Sequence, residues 1–328
     1  MKRMRQFLTT LLVVWTAASI ATYLYSQQQN IPSSIALAVL PAFLVEFAFY
    51  LVIGFPAARK AFDRLGSRPF RASLLFASAL LPYLIAGITT HNFHITALLT
   101  LAAVSFAAAF WYAWIRPAPI VDILFLALLA AVYLGKIFDP IYGQPAAHVP
   151  LAILGQLMWI RLNIMAVLSL RGIEEMHLSF VPTWRELRIG ALFYLVFLPV
   201  AAALAYLVHF AAFRAPELIW WKLALLIVGS FLAWLWVVAL FEEFFFRGFL
   251  LVTMGRWMKN ETAGLIASSI VFGLAHLFFR KFPNWRLAVV AAVAGIFYGL
   301  AFLRARSVRA SMVTHALVVV TWRVFFNA

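Results

Sequence analysis

Residues 223–250 read LALLIVGSFLAWLWVVALFEEFFFRGFL. From Leu223 to Phe241 no residue is charged, and a bilayer crossing needs about 20 apolar residues, so the run is long enough to span a membrane as a helix. Glu242, Glu243 and Arg247 then follow without interrupting the apolar pattern. A charge at the membrane centre costs about 2.5 to 3.5 kcal/mol even on insertion scales, so three in such close succession demand a reason.

The rest of the chain extends this reading. Of 328 residues 66% are hydrophobic and 11% charged, against about a quarter charged in a soluble domain. Apolar segments at 7–25, 33–55, 72–89, 95–114, 120–135, 150–169, 189–211, 222–250, 263–279, 286–303 and 309–326 predict an all-α polytopic transmembrane helical bundle of about ten or eleven spans. The first segment is too long for a signal-peptide core and lacks a clear cleavage site, so it reads as an uncleaved helix. The most polar internal stretch, 171–188, reads as a loop with an interfacial helix. It separates an N-terminal transmembrane region of unknown role, 1–188, from a C-terminal one, 189–328. No internal repeat is evident.

There is no cysteine, which excludes disulfides, thiolate metal sites and a cysteine nucleophile. The net charge of +15 suggests nucleic acid only until the cations are placed. With the N-terminus cytoplasmic, seventeen of the 26 basic residues fall on inner segments, among them Arg59, Lys60, Arg64, Arg68 and Arg71, and six on outer ones: Lys136, Arg214, Lys222, Arg280, Lys281 and Arg286. That is the bias of a multi-pass membrane protein; it points to anionic lipid and away from nucleic acid. The basic connection from Arg280 to Arg286 fits poorly on the outside and suggests a re-entrant or miscounted span nearby.

Helical spacing separates the charges of the opening stretch. Glu243 and Arg247, at i and i+4, share a face and can neutralise one another. Glu242 points about 100° away with no such partner. A carboxylate without a counter-ion in a dry site holds its proton more tightly, as a general base or acid near neutral pH requires. The bland alternative is a structural Glu/Arg cluster tying helices together, and the same reading covers Glu46, Asp122, Arg161 and His209, each isolated in its own segment.

His276 ends one downstream helix on the stripe of Phe272, and His315 opens another. A lone histidine in an apolar helix is usually a packing residue, but here two follow the glutamate pair. Counting rise per residue from the inner ends puts Glu242, His276 and His315 at depths of roughly 12, 20 and 9 Å, which permits convergence in the inner half of the membrane.

The order EExxxR, FxxxH, His resembles the CAAX-protease and bacteriocin-processing (Abi) family of intramembrane endopeptidases, here as Glu242–Glu243…Arg247, Phe272…His276 and His315…Val319. The resemblance covers about 219–326. Val319 stands where the family often has Asn, and if that Asn holds the oxyanion, as the resemblance implies, His315 acts alone or with Thr314 or Ser311. Two mechanisms fit. Either Glu242 and His276 hold and deprotonate a water while His315 stabilises the oxyanion, or Glu242, His276 and His315 bind one catalytic zinc. The lack of an HExxH motif favours the metal-free form. The expected substrate is a membrane-anchored peptide or protein with a CAAX-type C-terminus, a leader or a sorting tail. The rival expectation is a non-catalytic transporter or immunity-type scaffold keeping the same fold.

Overall fold

A computed structural model describes residues 2–173, 178–279 and 282–327. Arg280 and Lys281 of the troublesome basic connection lie outside the described residues. The chain divides into two compact units, Met1–Glu174 and Glu175–Ala328.

The first unit is built from α1 (Lys2–Gln28), α2 (Ser33–Gly54), the short α3 (Pro56–Asp63), α4 (Arg68–Thr89), α5 (Ile95–Trp114), α6 (Pro119–Leu134), a five-residue α7 (Phe138–Tyr142) and α8 (Ala152–Arg171), which widens to π geometry over Ala166–Arg171. Proline marks the starts of α3, α4 and α6, where its missing N–H has no helical partner to lose. Every predicted span of this half is a helix, but α6 has only 16 residues, roughly 24 Å, short of a full crossing. Ten helices in the described residues are long and apolar enough to cross a membrane. The protein is a multi-pass integral membrane protein with an all-α bundle architecture.

The isolated charges of this unit are paired across helices. Arg161 on α8 donates from Nε and Nη2 to the two oxygens of Glu46 on α2, at 2.7 and 3.1 Å. Its other hydrogen bonds go to Ser78 Oγ and the Ser78 carbonyl on α4. Asp122 accepts two bonds from Arg171 and one from the Tyr112 hydroxyl. The structural reading of these residues therefore holds.

The second unit contains α9 (Trp184–Leu207), α10 (Trp220–Trp257), α11 (Glu261–Ala275, with a 3₁₀ turn over His276–Phe278), α12 (Trp285–Ala305) and α13 (Val308–Phe325). Two-residue strands, Ala212–Phe213 and Phe326–Asn327, pair antiparallel. Side-chain caps start the helices: Thr183 and Glu186 form a capping box on α9, Asn260 accepts from Thr262 and Ala263, Asn284 from Leu287, and Ser307 from Arg309. Among the described residues of 171–188 no separate interfacial helix forms. Residues 178–183 instead belong to this unit, since Arg309 donates to Ser179 Oγ and the Val181 carbonyl while Trp236 donates to the Phe180 carbonyl.

Helix α10 is one continuous 38-residue element, longer than the segment predicted at 222–250. Two stretches of it, Leu235–Ala239 and Phe244–Leu251, are π-helical, and the glutamate pair sits on the single α turn between them, Leu240–Glu243. Such widened turns recur at functional sites. Helix α9 meets α13 at Gly190, where an added Cβ would lie 2.7 Å from the Ala310 carbonyl oxygen, so only glycine lets the two backbones come this close. A cluster of Phe197, Ala201, Phe272, Ala291, Ala294 and Tyr298 forms the core of the bundle beside the glutamates.

Candidate active site

The site is assembled from α10, α11, α12 and α13. Glu243 and Arg247 are almost wholly buried, and Arg247 Nη1 donates to Glu243 Oε1 at 3.1 Å, the pair that i,i+4 spacing called for. Arg247 reaches further: Nη2 donates to the Gly295 carbonyl on α12, and the guanidinium lies over the rings of Phe272 and Tyr298 at 4.3 and 5.2 Å. A Cβ on Gly295 would come within 3.1 Å of Nη2, so the small residue keeps the arginine's path open.

The sequence reading made Glu243 only the partner of Arg247. The structure gives it a second bond, from His315 Nδ1 to the same Oε1 at 2.8 Å. That contact orients the imidazole and turns Nε2 toward Glu242, whose Oε2 lies 3.8 Å away. Both Glu242 Oε2 and Glu243 Oε2 are buried without a hydrogen-bond partner. Buried polar atoms are seldom left so, and an exception asks for a water or a ligand.

His276 is placed differently. Its Nδ1 meets the Phe272 carbonyl of its own helix at 2.7 Å, and the ring packs on Phe272 and Phe279 at centroid distances of 4.5 and 5.2 Å. The Phe272 ring stands edge-on to His315 at 6.0 Å. Glu242, Glu243, Arg247 and His315 thus come into one cluster, and His276 packs on Phe272, the ring that also faces His315. Among the described residues no group of three His, Asp or Glu side chains is preformed as a metal-ligand set.

The hydroxyls expected to replace an Asn donor are engaged elsewhere. Thr314 Oγ1 donates to the carbonyls of Gly190 and Ala310, and Ser311 Oγ to that of Val308. With Val319 apolar, His315 Nε2 is the side-chain nitrogen placed beside Glu242.

Sequence reasoning missed Tyr298. Its ring stacks on His315 at 4.7 Å with 17° between the planes. The spacing Gly295–Gly299 on α12 was the available signal, since two glycines four apart mark a face that other helices approach closely.

Set against known proteins, residues 224–321 match the family model described as type II CAAX prenyl endopeptidase Rce1-like. No curated protein and no solved structure matches the chain.

Proposed function

We propose that this chain, whose residues 224–321 match the type II CAAX prenyl endopeptidase Rce1-like family model, is an intramembrane endopeptidase that hydrolyses a peptide bond near the C-terminus of a prenylated, membrane-anchored protein, with Glu242 as the base. The match of residues 224–321 to that family's model supports an intramembrane peptidase over the transporter or scaffold. In this reading 189–328 carries the chemistry. A cytoplasmic N-terminus and anionic lipid around the basic loops complete the reading, because both follow from the distribution of cations.

The observation that carries the reading is the buried Glu242 oxygen with no partner, 3.8 Å from His315 Nε2. Against the two carboxylates stands one fixed cation, Arg247, so the cluster is electrically balanced when a single proton rides on the Glu242–His315 pair. With that proton on His315, Glu242 accepts a proton from the attacking water and His315 Nε2–H donates to the tetrahedral oxyanion. Glu242 then passes its proton to the leaving nitrogen. Glu243 holds the imidazole so that Nε2, and not Nδ1, faces the reaction. His276, with Nδ1 engaged by the Phe272 carbonyl, offers Nε2 to the same water.

The test is hydrolysis of a farnesylated peptide with a CAAX-type C-terminus by the purified full chain, after exhaustive chelation, with and without added zinc. Turnover that persists without metal and disappears in Glu242→Gln supports the reading. Full turnover in Glu242→Gln removes the site from the reaction, and turnover that returns only with zinc replaces the metal-free mechanism.

A further inference from the structure

We propose that Tyr298 is a positioning residue for His315, an inference that rests on the peptidase reading above. Besides Glu242, three groups border the imidazole. Glu243 Oε1 holds Nδ1 at 2.8 Å, the Phe272 ring stands edge-on at 6.0 Å, and the Tyr298 ring covers a face at 4.7 Å. A single hydrogen bond to Nδ1 fixes where the ring is tethered but leaves rotation about that bond. The stacked ring, with planes 17° apart, removes that freedom and keeps Nε2 aimed at Glu242.

Tyr298 is well placed to act as a rigid wall. It is 2% exposed and locked in the core cluster, and its ring also meets Phe197 at 6.3 Å and Phe272 at 6.1 Å. The same ring receives the Arg247 guanidinium at 5.2 Å, so the residue that holds Glu243 and the residue that donates to substrate lean on one aromatic surface. These contacts are made by the ring, which separates the proposal from any role for the hydroxyl.

The full chain is assayed on the farnesylated CAAX-type peptide, with kcat, KM and thermal midpoint measured for each variant. Tyr298→Phe keeps the ring and retains kcat. Tyr298→Leu removes it and loses about tenfold in kcat per folded molecule with KM unchanged, the size expected when a stacking contact is lost. If the leucine protein fails to fold, Tyr298→Met fills the space without a ring and carries the same expectation. Unchanged kcat in the ringless variant, or an equal loss in Tyr298→Phe, overturns the proposal. Glu242→Gln is run in parallel: if it is inactive while Tyr298→Leu is unimpaired, only this inference fails, whereas full activity in Glu242→Gln removes the site reading on which it rests.

Discussion

Each unit of the chain buries carboxylates among apolar helices, and the two units treat them in opposite ways. In the first, both oxygens of Glu46 accept from Arg161, whose other donors end on Ser78, and the arrangement is complete. In the second, Arg247 and His315 converge on a single oxygen of Glu243, while Oε2 of Glu243 and Oε2 of Glu242 have no partner. Identical residue types in similar surroundings therefore do different work. A closed pair leaves neither carboxylate oxygen without a partner, whereas an open one is a place where a water or substrate completes the bonding. In a membrane, where an unmatched polar atom finds no bulk water, that difference is the physical criterion separating a brace from a site.

The sharpest way to break the comparison is to neutralise one glutamate in each unit. Glu242→Gln is expected to lower turnover by about 10²- to 10⁴-fold, the usual contribution of a general base, and to leave the thermal midpoint unchanged or raised, since an unpartnered carboxylate is removed. His276→Ala and His315→Ala are expected to lose most turnover as well, and the triple variant little more than the worst single one, because residues acting as a unit are not additive. A triple variant much worse than every single one would show that the three act separately.

Glu46→Gln should do the reverse: a loss of about 3 to 5 kcal/mol in stability from a broken buried pair, with turnover per folded molecule intact. Glu243→Gln belongs to both classes, because Glu243 braces Arg247 and also aims His315. Chemical denaturation together with kcat on the folded fraction should show both quantities falling. A Glu243→Gln protein that is destabilised but fully active per folded molecule would return this residue to the purely structural role read from its spacing.

A smaller effect is expected from Gly295→Ala. The new methyl presses on Arg247 Nη2 and on Ser269, and overpacking of this kind costs about 1 to 3 kcal/mol. The smallest belongs to the exposed pair of Glu261 and Arg306, which is bidentate at 2.6 and 3.2 Å yet open to solvent. Glu261→Gln should shift stability by less than about 1 kcal/mol, and by less still in high salt. A large loss there would mean that burial is not what grades these pairs.

Some of this was legible in the residues alone. Hydropathy found every long helix, since twenty consecutive apolar residues have no other stable place to go. The Glu243–Arg247 bond was legible because i,i+4 contacts are local, and they survive the π widening on the far side of Glu243. Residue order brought Glu242 and His315 together as members of one site. Arg280 and Lys281, which troubled the assignment of sides, fall outside the described residues.

What the sequence determined by itself was therefore the membrane class, the run of helices and the local ion pair, all consequences of solvent preference and of contacts within one helical turn. What only the tertiary structure decided was how the candidate residues are arranged: that His315 gives Nδ1 to Glu243 and turns Nε2 to Glu242, that His276 packs on Phe272, that Thr314 and Ser311 are bound to backbone carbonyls, and that Tyr298 covers the imidazole. Each of these depends on the angle and closeness at which separate helices cross. That geometry is set by small residues such as Gly190 and Gly295 meeting partners far along the chain, and no spacing within a single helix encodes it.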